Sequence, residues 1–387
     1  MGSNQMALFS PQAHEYLRRV RSRMVDVART ARGLTQEQLA VATGMQQAMI
    51  NKLINNKIGI TDEHIQKIAE ATGFPTSFFS EDVNILPDHI VYYRKYKCLS
   101  STELTKTQYN LHIQRHRIKK LLASVDLPNN LVKLEPNYQL SPEQIANHIR
   151  LKWNIPRGPI NDMTRYLEAA GVIVLLTDQE VKNFDGLVLP DDDGLPVICI
   201  NRNSPPDRQR YNLAHELGHL IMHTNDYFPS AEDDFEGEAN RFAAEFLMPE
   251  KDIVPYFQKD LPITQLTSLK AHWKVSMAAI VRRAYDTGVI LKSRYTSLNV
   301  QLSKLGYKKK EPLCGLRPET PYLWQQLLML HRTKLDYSDE ELADLLRMTP
   351  AEFKDLNLLY SSPFTVHKTE SQPTEQATRP ANIFRKA

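Results

Sequence analysis

The sequence predicts a mostly α protein with a small β-sheet, an α+β chain of more than one domain. Three observations carry this. Apolar residues recur at helical spacing through most of the chain, and only two short runs, "VIVLL" and "LPVICIN", are β-branched and bounded by turn residues. The 387 residues are also too many for one small core, so two or three domains are expected.

The helices can be placed in order. "YLRRVRSRMVDVARTA" has an apolar stripe and stops at Gly33, a natural residue just past a helix end. "LTQEQLAVATG" opens on Thr35 with Gln38 three residues later, a capping-box pattern, and closes on Gly44. "MQQAMINKLINNK" and "TDEHIQKIAEATG" follow, the latter capped by Thr61 and ended by Gly73. Short helices joined by tight turns, with glycine between the second and third, form a helix-turn-helix. Residues 85–140 read as a connector with one basic helix, "LHIQRHRIKKLL", whose Arg115–Lys120 run is expected to be a solvated face. Ser141 caps the next helix, with Pro142 at its first position. The two strand-like runs come next, then "YNLAHELGHLIMH", an acidic loop, "EANRFAAEFLMP", and further helices to about residue 360. The Ser/Thr/Pro/Gln-rich tail lacks periodicity and is expected to be disordered. "LTQEQLAVATGMQQAM" is faintly echoed by "YSDEELADLLRMTPAEF", which reads as two independently capped amphipathic helices.

Expected boundaries are therefore 1–84 for the helix-turn-helix, 85–140 for the connector, 141–310 for a catalytic-type domain, 311–362 for C-terminal helices and 363–387 for the tail. Composition excludes other classes. No apolar run of about eighteen residues exists, so no membrane partner is expected. The start lacks a basic-then-apolar leader, and Met6 stands where a myristoylation signal needs Ser or Thr, so a cytoplasmic location is the expectation. Three scattered cysteines, Cys98, Cys199 and Cys314, exclude a disulfide framework or zinc knuckle. Net charge is only +3, but residues 1–60 hold eight Lys or Arg against three Asp or Glu, a modest footprint for a phosphate partner.

Within "HELGH", His215 and His219 lie four apart on one helix face, with Glu216 beside them: the H-E-x-x-H spacing of metallopeptidases. Two imidazoles need a third protein ligand to hold zinc with one position left for water. His223 is two helical turns, roughly 12 Å, from His215, too far to share an ion, and is expected to play a supporting role. The longer H-E-x-x-H-x-x-G-x-x-H pattern fails at Met222 and Asn225. A better third ligand is Glu236, with Asn240 one turn on to hold a ligand histidine through its second nitrogen. Glu238 falls on another face, while Glu232, Asp233 and Asp234 are rivals from the loop. The small Ala239, Ala243 and Ala244 would let the two helices approach closely.

"R-x-R-Y-N-L-A-H-E-L-G-H-L-I-M-H" followed by "E-x-E-A-N-R-F-A-A-E-F-L-M-P" resembles the ImmA/IrrE metallopeptidases across roughly residues 140–310, including the upstream "WNIPRGPI…LEAAGVIVLL". The resemblance implies a zincin-like core of gluzincin type, one zinc per chain with manganese as the alternative ion, His215, His219 and Glu236 as ligands, and Glu216 as catalytic acid/base. Glu216 would take a proton from water and return it to the leaving nitrogen. A further oxyanion donor would be Tyr211, His223 or Tyr227.

"ARTARGLTQEQLAVATGMQQAMINKLINNK" resembles the Xre/Cro phage-repressor helix-turn-helix family. In that frame Gln36 meets phosphate, Gln46, Gln47 and Ala48 face base edges, and Asn51 and Lys52 reach bases or backbone of double-stranded operator DNA. Ile50 and Leu53 should face the core, and "NNK" replaces the more usual N-G-K turn, a mild departure because Asn tolerates left-handed angles. Paired half-sites imply a homodimer. Together the resemblances imply a transcriptional regulator whose endopeptidase cuts a partner protein, a helix-turn-helix repressor among the candidates. The alternative is a transcription factor or antitoxin whose zinc-peptidase fold serves as a sensor or scaffold without proteolysis.

Overall fold

The computed structural model describes residues 11–86, 101–125, 131, 139–177, 186–190, 195–223, 234–312 and 314–360. They fall into two compact units, and these do not follow the linear boundaries expected above. One unit combines residues up to Pro87 with Lys97–Asp126 and Trp324–Thr365; the other is built chiefly from Leu127–Leu323. No helix among the described residues is long and apolar enough to cross a membrane.

The first unit opens with α1 (Pro11–Ala31), which buries Val20, Met24, Ala28 and Ala31 along one stripe. α2 (Gln36–Thr43) begins on the Thr35–Gln38 capping box and ends at Gly44, whose φ of 67° turns the chain into α3 (Gln47–Ile54). Ile50 and Leu53 are fully buried, as expected. The "NNK" turn places Asn56 at φ 54°, and Arg18 of α1 donates to both its side chain (2.8 Å) and its carbonyl (2.9 Å). Asparagine therefore supplies the left-handed turn and a tether that glycine would lack. α4 (Asp62–Thr72) has the Thr61 cap, and a 3-10 turn (Thr76–Ser80) seats Phe78 and Phe79 in the core. α5 (Ser101–Leu122) packs on α1.

The basic run on α5 is not a solvated face. Arg115 and Arg117 are buried, and Arg117 donates to the Leu346 carbonyl (3.1 Å) and to Glu352 (2.9 Å). Lys120 and His116 both bond Glu81, at 2.7 and 2.9 Å. The physical reason is that α5 is covered on more than one side, so its cations serve as internal struts.

In the second unit, α6 (Pro142–Lys152) starts at the Ser141 cap and α7 (Met163–Ala169) at Asp162. The sheet has order β1 (Ile173–Thr177), β3 (Val197–Asn201), β2 (Gly186–Leu189), with β1 and β3 parallel and β2 antiparallel at one edge. The sequence reading located β1 and β3 but not the four-residue "GLVL" of β2. α8 (Pro206–Met222) packs on β2 and β3. α9 (Phe235–Leu247) packs on α8 and α6. α10 (Glu250–Ile253), α11 (Gln265–Trp273), α12 (Met277–Asp286) and α13 (Lys292–Lys304) complete a core that includes Phe242, Phe246, Trp273 and Ile280.

The chain then returns to the first unit through α14 (Leu323–Lys334), α15 (Asp339–Leu345) and α16 (Pro350–Tyr360). The internal echo is deeper than two separate capped helices. Ser338 repeats Thr35 as a capping-box N-cap, with Glu341 for Gln38. Leu342 and Ala343 are buried where Leu39 and Ala40 are, and Phe353 where Ile50 is. Arg347 takes a left-handed φ of 52° at the position of Gly44. The Met45 N–H bonds the Ala40 carbonyl at 3.0 Å and the Met348 N–H bonds that of Ala343 at 2.9 Å. Helix-turn-helix geometry thus occurs twice. The second copy differs in chemistry: α15 carries Asp339, Glu340, Glu341 and Asp344, and Pro350 and Asp355 stand in register with Gln47 and Lys52. That face would repel phosphate.

Candidate metal centre

α8 is held from several directions before any functional side chain is considered. Only Arg208 and Tyr211 on it escape burial. Gln209 donates to the carbonyls of Arg202 and Ser204, both at 2.8 Å, fixing the loop that enters the helix. Arg210 bonds the Ile160 carbonyl at 2.6 Å and pairs with Glu319, which in turn accepts the Met163 and Thr164 N–H groups at the start of α7. Burial lowers the Arg210 pKa to about 10, but it stays charged at neutral pH. Buried Lys270 joins Asp207 of α8 (2.7 Å) to Glu311 (2.8 Å). These paired charges register the helix against its neighbours.

Close packing of α8 on α9 depends on Gly218, the glycine of "HELGH". A Cβ there would come within 3.3 Å of the Ala239 Cα and 3.1 Å of the Phe242 ring. Ala239 and Ala243 are fully buried in the same seam, as the small residues predicted, whereas Ala244 lines a neighbouring groove.

Across that seam His215, His219 and Glu236 bring one ligand atom each into a single cluster. The two Nε2 atoms are 3.0 Å apart, and the Glu236 oxygens lie 3.6 Å from His215 Nε2 and 3.4 Å from His219 Nε2. Two ligands about 2.05 Å from a tetrahedral zinc would be about 3.3 Å apart, so these separations bracket the value an ion requires.

The outer hydrogen bonds decide what the two Nε2 atoms are. Asn240 Oδ1 lies 3.1 Å from His215 Nδ1. An amide oxygen only accepts, so Nδ1 carries the hydrogen and Nε2 presents a lone pair. Glu238 Oε2 lies 3.0 Å from His223 Nε2, and His223 Nδ1 lies 2.9 Å from His219 Nδ1. With the carboxylate accepting from His223 Nε2–H, His223 Nδ1 accepts from His219 Nδ1–H, and His219 Nε2 is likewise a lone pair. Two imidazole lone pairs and a carboxylate then face one another, an arrangement that a cation satisfies and a hydrogen bond does not. The residues fit a divalent metal.

Glu216 is 4 % exposed, and its carboxyl is packed against Gly186 of β2: a Cβ at Gly186 would stand 2.8 Å from Glu216 Oε1. Burial, with the Glu216 charge nearby, pushes the Cys199 thiol up, so that cysteine is a packed group and no nucleophile. Tyr211, a candidate oxyanion donor, sits 3.3 Å from Asn240 Oδ1 and steadies that amide. His223 is unsuited to the oxyanion task because both its nitrogens are engaged. Asp234 caps α9 by accepting the Gly237 N–H at 3.0 Å and is not part of the cluster. Tyr227, Glu232 and Asp233 lie outside the described residues. Sequence reasoning gave Glu238 no role; no spacing rule links it to His223, and only the helix crossing brings the two together.

In the first unit Gln46, Gln47, Ala48, Asn51 and Lys52 are all exposed on or at the start of α3, and Asn51 Nδ2 donates to Gln36 Oε1 at 3.2 Å, bridging α3 and α2.

Comparison with known proteins agrees with both units. Residues 167–285 match the family model described as IrrE N-terminal-like domain, and residues 27–79 match a helix-turn-helix model. The radiation response metalloprotease IrrE of Deinococcus radiodurans is 37 % identical over 73 residues, covering 16 % of this chain and 22 % of that protein. The chain thus spans less than a quarter of the curated relative it matches. It carries a helix-turn-helix domain of DNA-binding type joined to an IrrE N-terminal-like, metallopeptidase-type domain.

Proposed function

We propose that the chain is a DNA-binding regulator with a zinc endopeptidase in its second unit. The observation that carries this is the convergence of the His215 and His219 Nε2 lone pairs with the Glu236 carboxylate, each imidazole fixed from behind by Asn240 or by His223 and Glu238. Zinc held by these residues would supply Lewis acidity toward a water molecule and a peptide carbonyl. Glu216 is the residue assigned to take the proton from water at its carboxylate and hand it to the departing nitrogen. Its burial against Gly186 favours that task, because a carboxylate shielded from bulk water keeps a fixed position. The substrate on this reading is a partner protein, a helix-turn-helix repressor among them, and cleavage releases genes that the partner silences.

The first unit reads operator DNA through Gln46, Gln47, Ala48, Asn51 and Lys52, with Gln36 on the phosphate side, and a homodimer supplies paired heads. The test combines metal analysis with processing. Wild type should hold one zinc per chain, Glu236→Ala should lose it, and Glu216→Gln should keep zinc but abolish partner cleavage. If gene release survives Glu216→Gln, hydrolysis is not the output and a sensor role takes its place.

A further inference from the structure

A groove of about 720 Å³ opens on the second unit beside the metal centre. It shares the seam that builds the centre. Tyr211 lines it and stands one helical turn before His215 on α8, and Ala244 lines it one turn after Asn240 on α9. Each step is about 6 Å along the helix, so the groove lies within about one helical turn of His215 on α8 and of Asn240 on α9.

The groove's charge is one-sided. Seven cationic side chains line it against two carboxylates, Asp207 and Glu311, and both of those are taken up by Lys270. Arg283 is neutralised by Glu245 and Arg282 is paired with Asp286. Arg208, Lys308, Lys309 and Lys310 are exposed on the rim, and among the described residues no ion pair to Lys309 or Lys310 occurs. Tyr211, Tyr307 and Ala244, each partly exposed, give the same groove an apolar component.

We infer that this groove receives an acidic polypeptide segment, whose Asp and Glu side chains meet the lysine rim while apolar neighbours contact Tyr211 and Tyr307. The inference rests on the peptidase reading for the purpose it gives the segment, which is to deliver the adjoining peptide bond to the centre. A nucleic-acid duplex is the poorer occupant: it is too wide to enter a concave site of this volume and offers no apolar side chains.

The experiment uses the full chain carrying Glu216→Gln, so that nothing is cut, and fluorescence anisotropy of labelled peptides. The probes are a dodecapeptide alternating Glu with Leu, its Gln-for-Glu and Lys-for-Glu counterparts, a thymidine oligonucleotide and pyrophosphate. The Glu peptide should bind, the Gln and Lys peptides at least about tenfold more weakly, and affinity should drop as salt rises from about 50 to about 300 mM. Lys309→Glu with Lys310→Glu should weaken binding at least about tenfold, while Lys309→Arg with Lys310→Arg should leave it unchanged. Equal binding of the Gln peptide, or equal affinity in the reversed variant, overturns the inference. Tighter binding of the oligonucleotide or pyrophosphate through the same lysines also overturns it, by assigning the groove to another anion. Binding here needs no hydrolysis, so a wild-type chain that binds the Glu peptide through these lysines yet cleaves no protein sinks the peptidase reading alone.

Discussion

His223 and Glu238 meet at 3.0 Å, and through that contact a carboxylate on α9 sets the ring of His219 on α8. Neither residue belongs to the candidate ligand cluster, yet together they decide which nitrogen of His219 is bare. Glu238→Ala should therefore lower zinc affinity by about tenfold to a hundredfold while leaving the fold intact. Competition against a chelator of known affinity, alongside circular dichroism, would check it. An unchanged affinity would mean the His219 tautomer is set elsewhere.

Gly186 makes a second prediction. Gly186→Val would drive a side chain into the Glu216 carboxyl. Zinc content should stay near one per chain while cleavage falls by at least about a hundredfold, with a stability loss of about 1–3 kcal/mol from overpacking. Paired metal analysis and denaturant unfolding separate these effects. Loss of the metal as well would show that Glu216 and the ligands move together.

The two units should respond to pH with opposite slopes. Burial raises Glu168 to about 8 despite N–H bonds from Tyr322 and Leu323, so its contribution to stability is full below about pH 4.5 and lost as pH rises through about 8. Burial would also raise Glu81, but bonds from His116, Lys120 and Arg347 outweigh it and hold it at about 2. Its contribution is present above about pH 4.5 and lost as pH falls toward about 2. Glu168→Gln should flatten the limb between about pH 5 and 8, and Glu81→Gln the acid limb, in unfolding midpoints read across pH.

The repeated helix-turn-helix should be unequal on DNA. Gln47→Ala should weaken operator binding by about 1–3 kcal/mol, and Lys354→Ala in the second copy should leave it within error. Gel-shift titrations at fixed salt would decide. A matching loss at Lys354 would mean that α16 also reaches the duplex.

The local signals carried the reading far. Thr35, Thr61 and Ser141 each became the helix caps their neighbours implied, because a cap is a bargain among residues three apart. The convergence of the three candidate ligands was legible for a related reason: His215 and His219 share a face at spacing four, and Glu236 with Asn240 repeats that spacing on the next helix. What escaped depended on contacts between elements. The charge run at Arg115–Lys120 looks solvated until Leu346, Glu352 and Glu81 are brought against it. β2 is four residues long and has no alternation to detect, since all four are buried. The second helix-turn-helix hid because its glycine is replaced by Arg347, so the turn survives without its usual residue.

The polypeptide leaves the first unit near Asp126 and rejoins it at Trp324, so the peptidase-type body is spliced into the DNA-binding one like a long insertion. A stop after residue 323 would then spare the inserted body and injure the other. Arg117, sunk in that other body, would forfeit its acceptors on Leu346, Arg347 and Glu352 at a stroke. Such a truncation would accordingly be felt first in the helix-turn-helix unit.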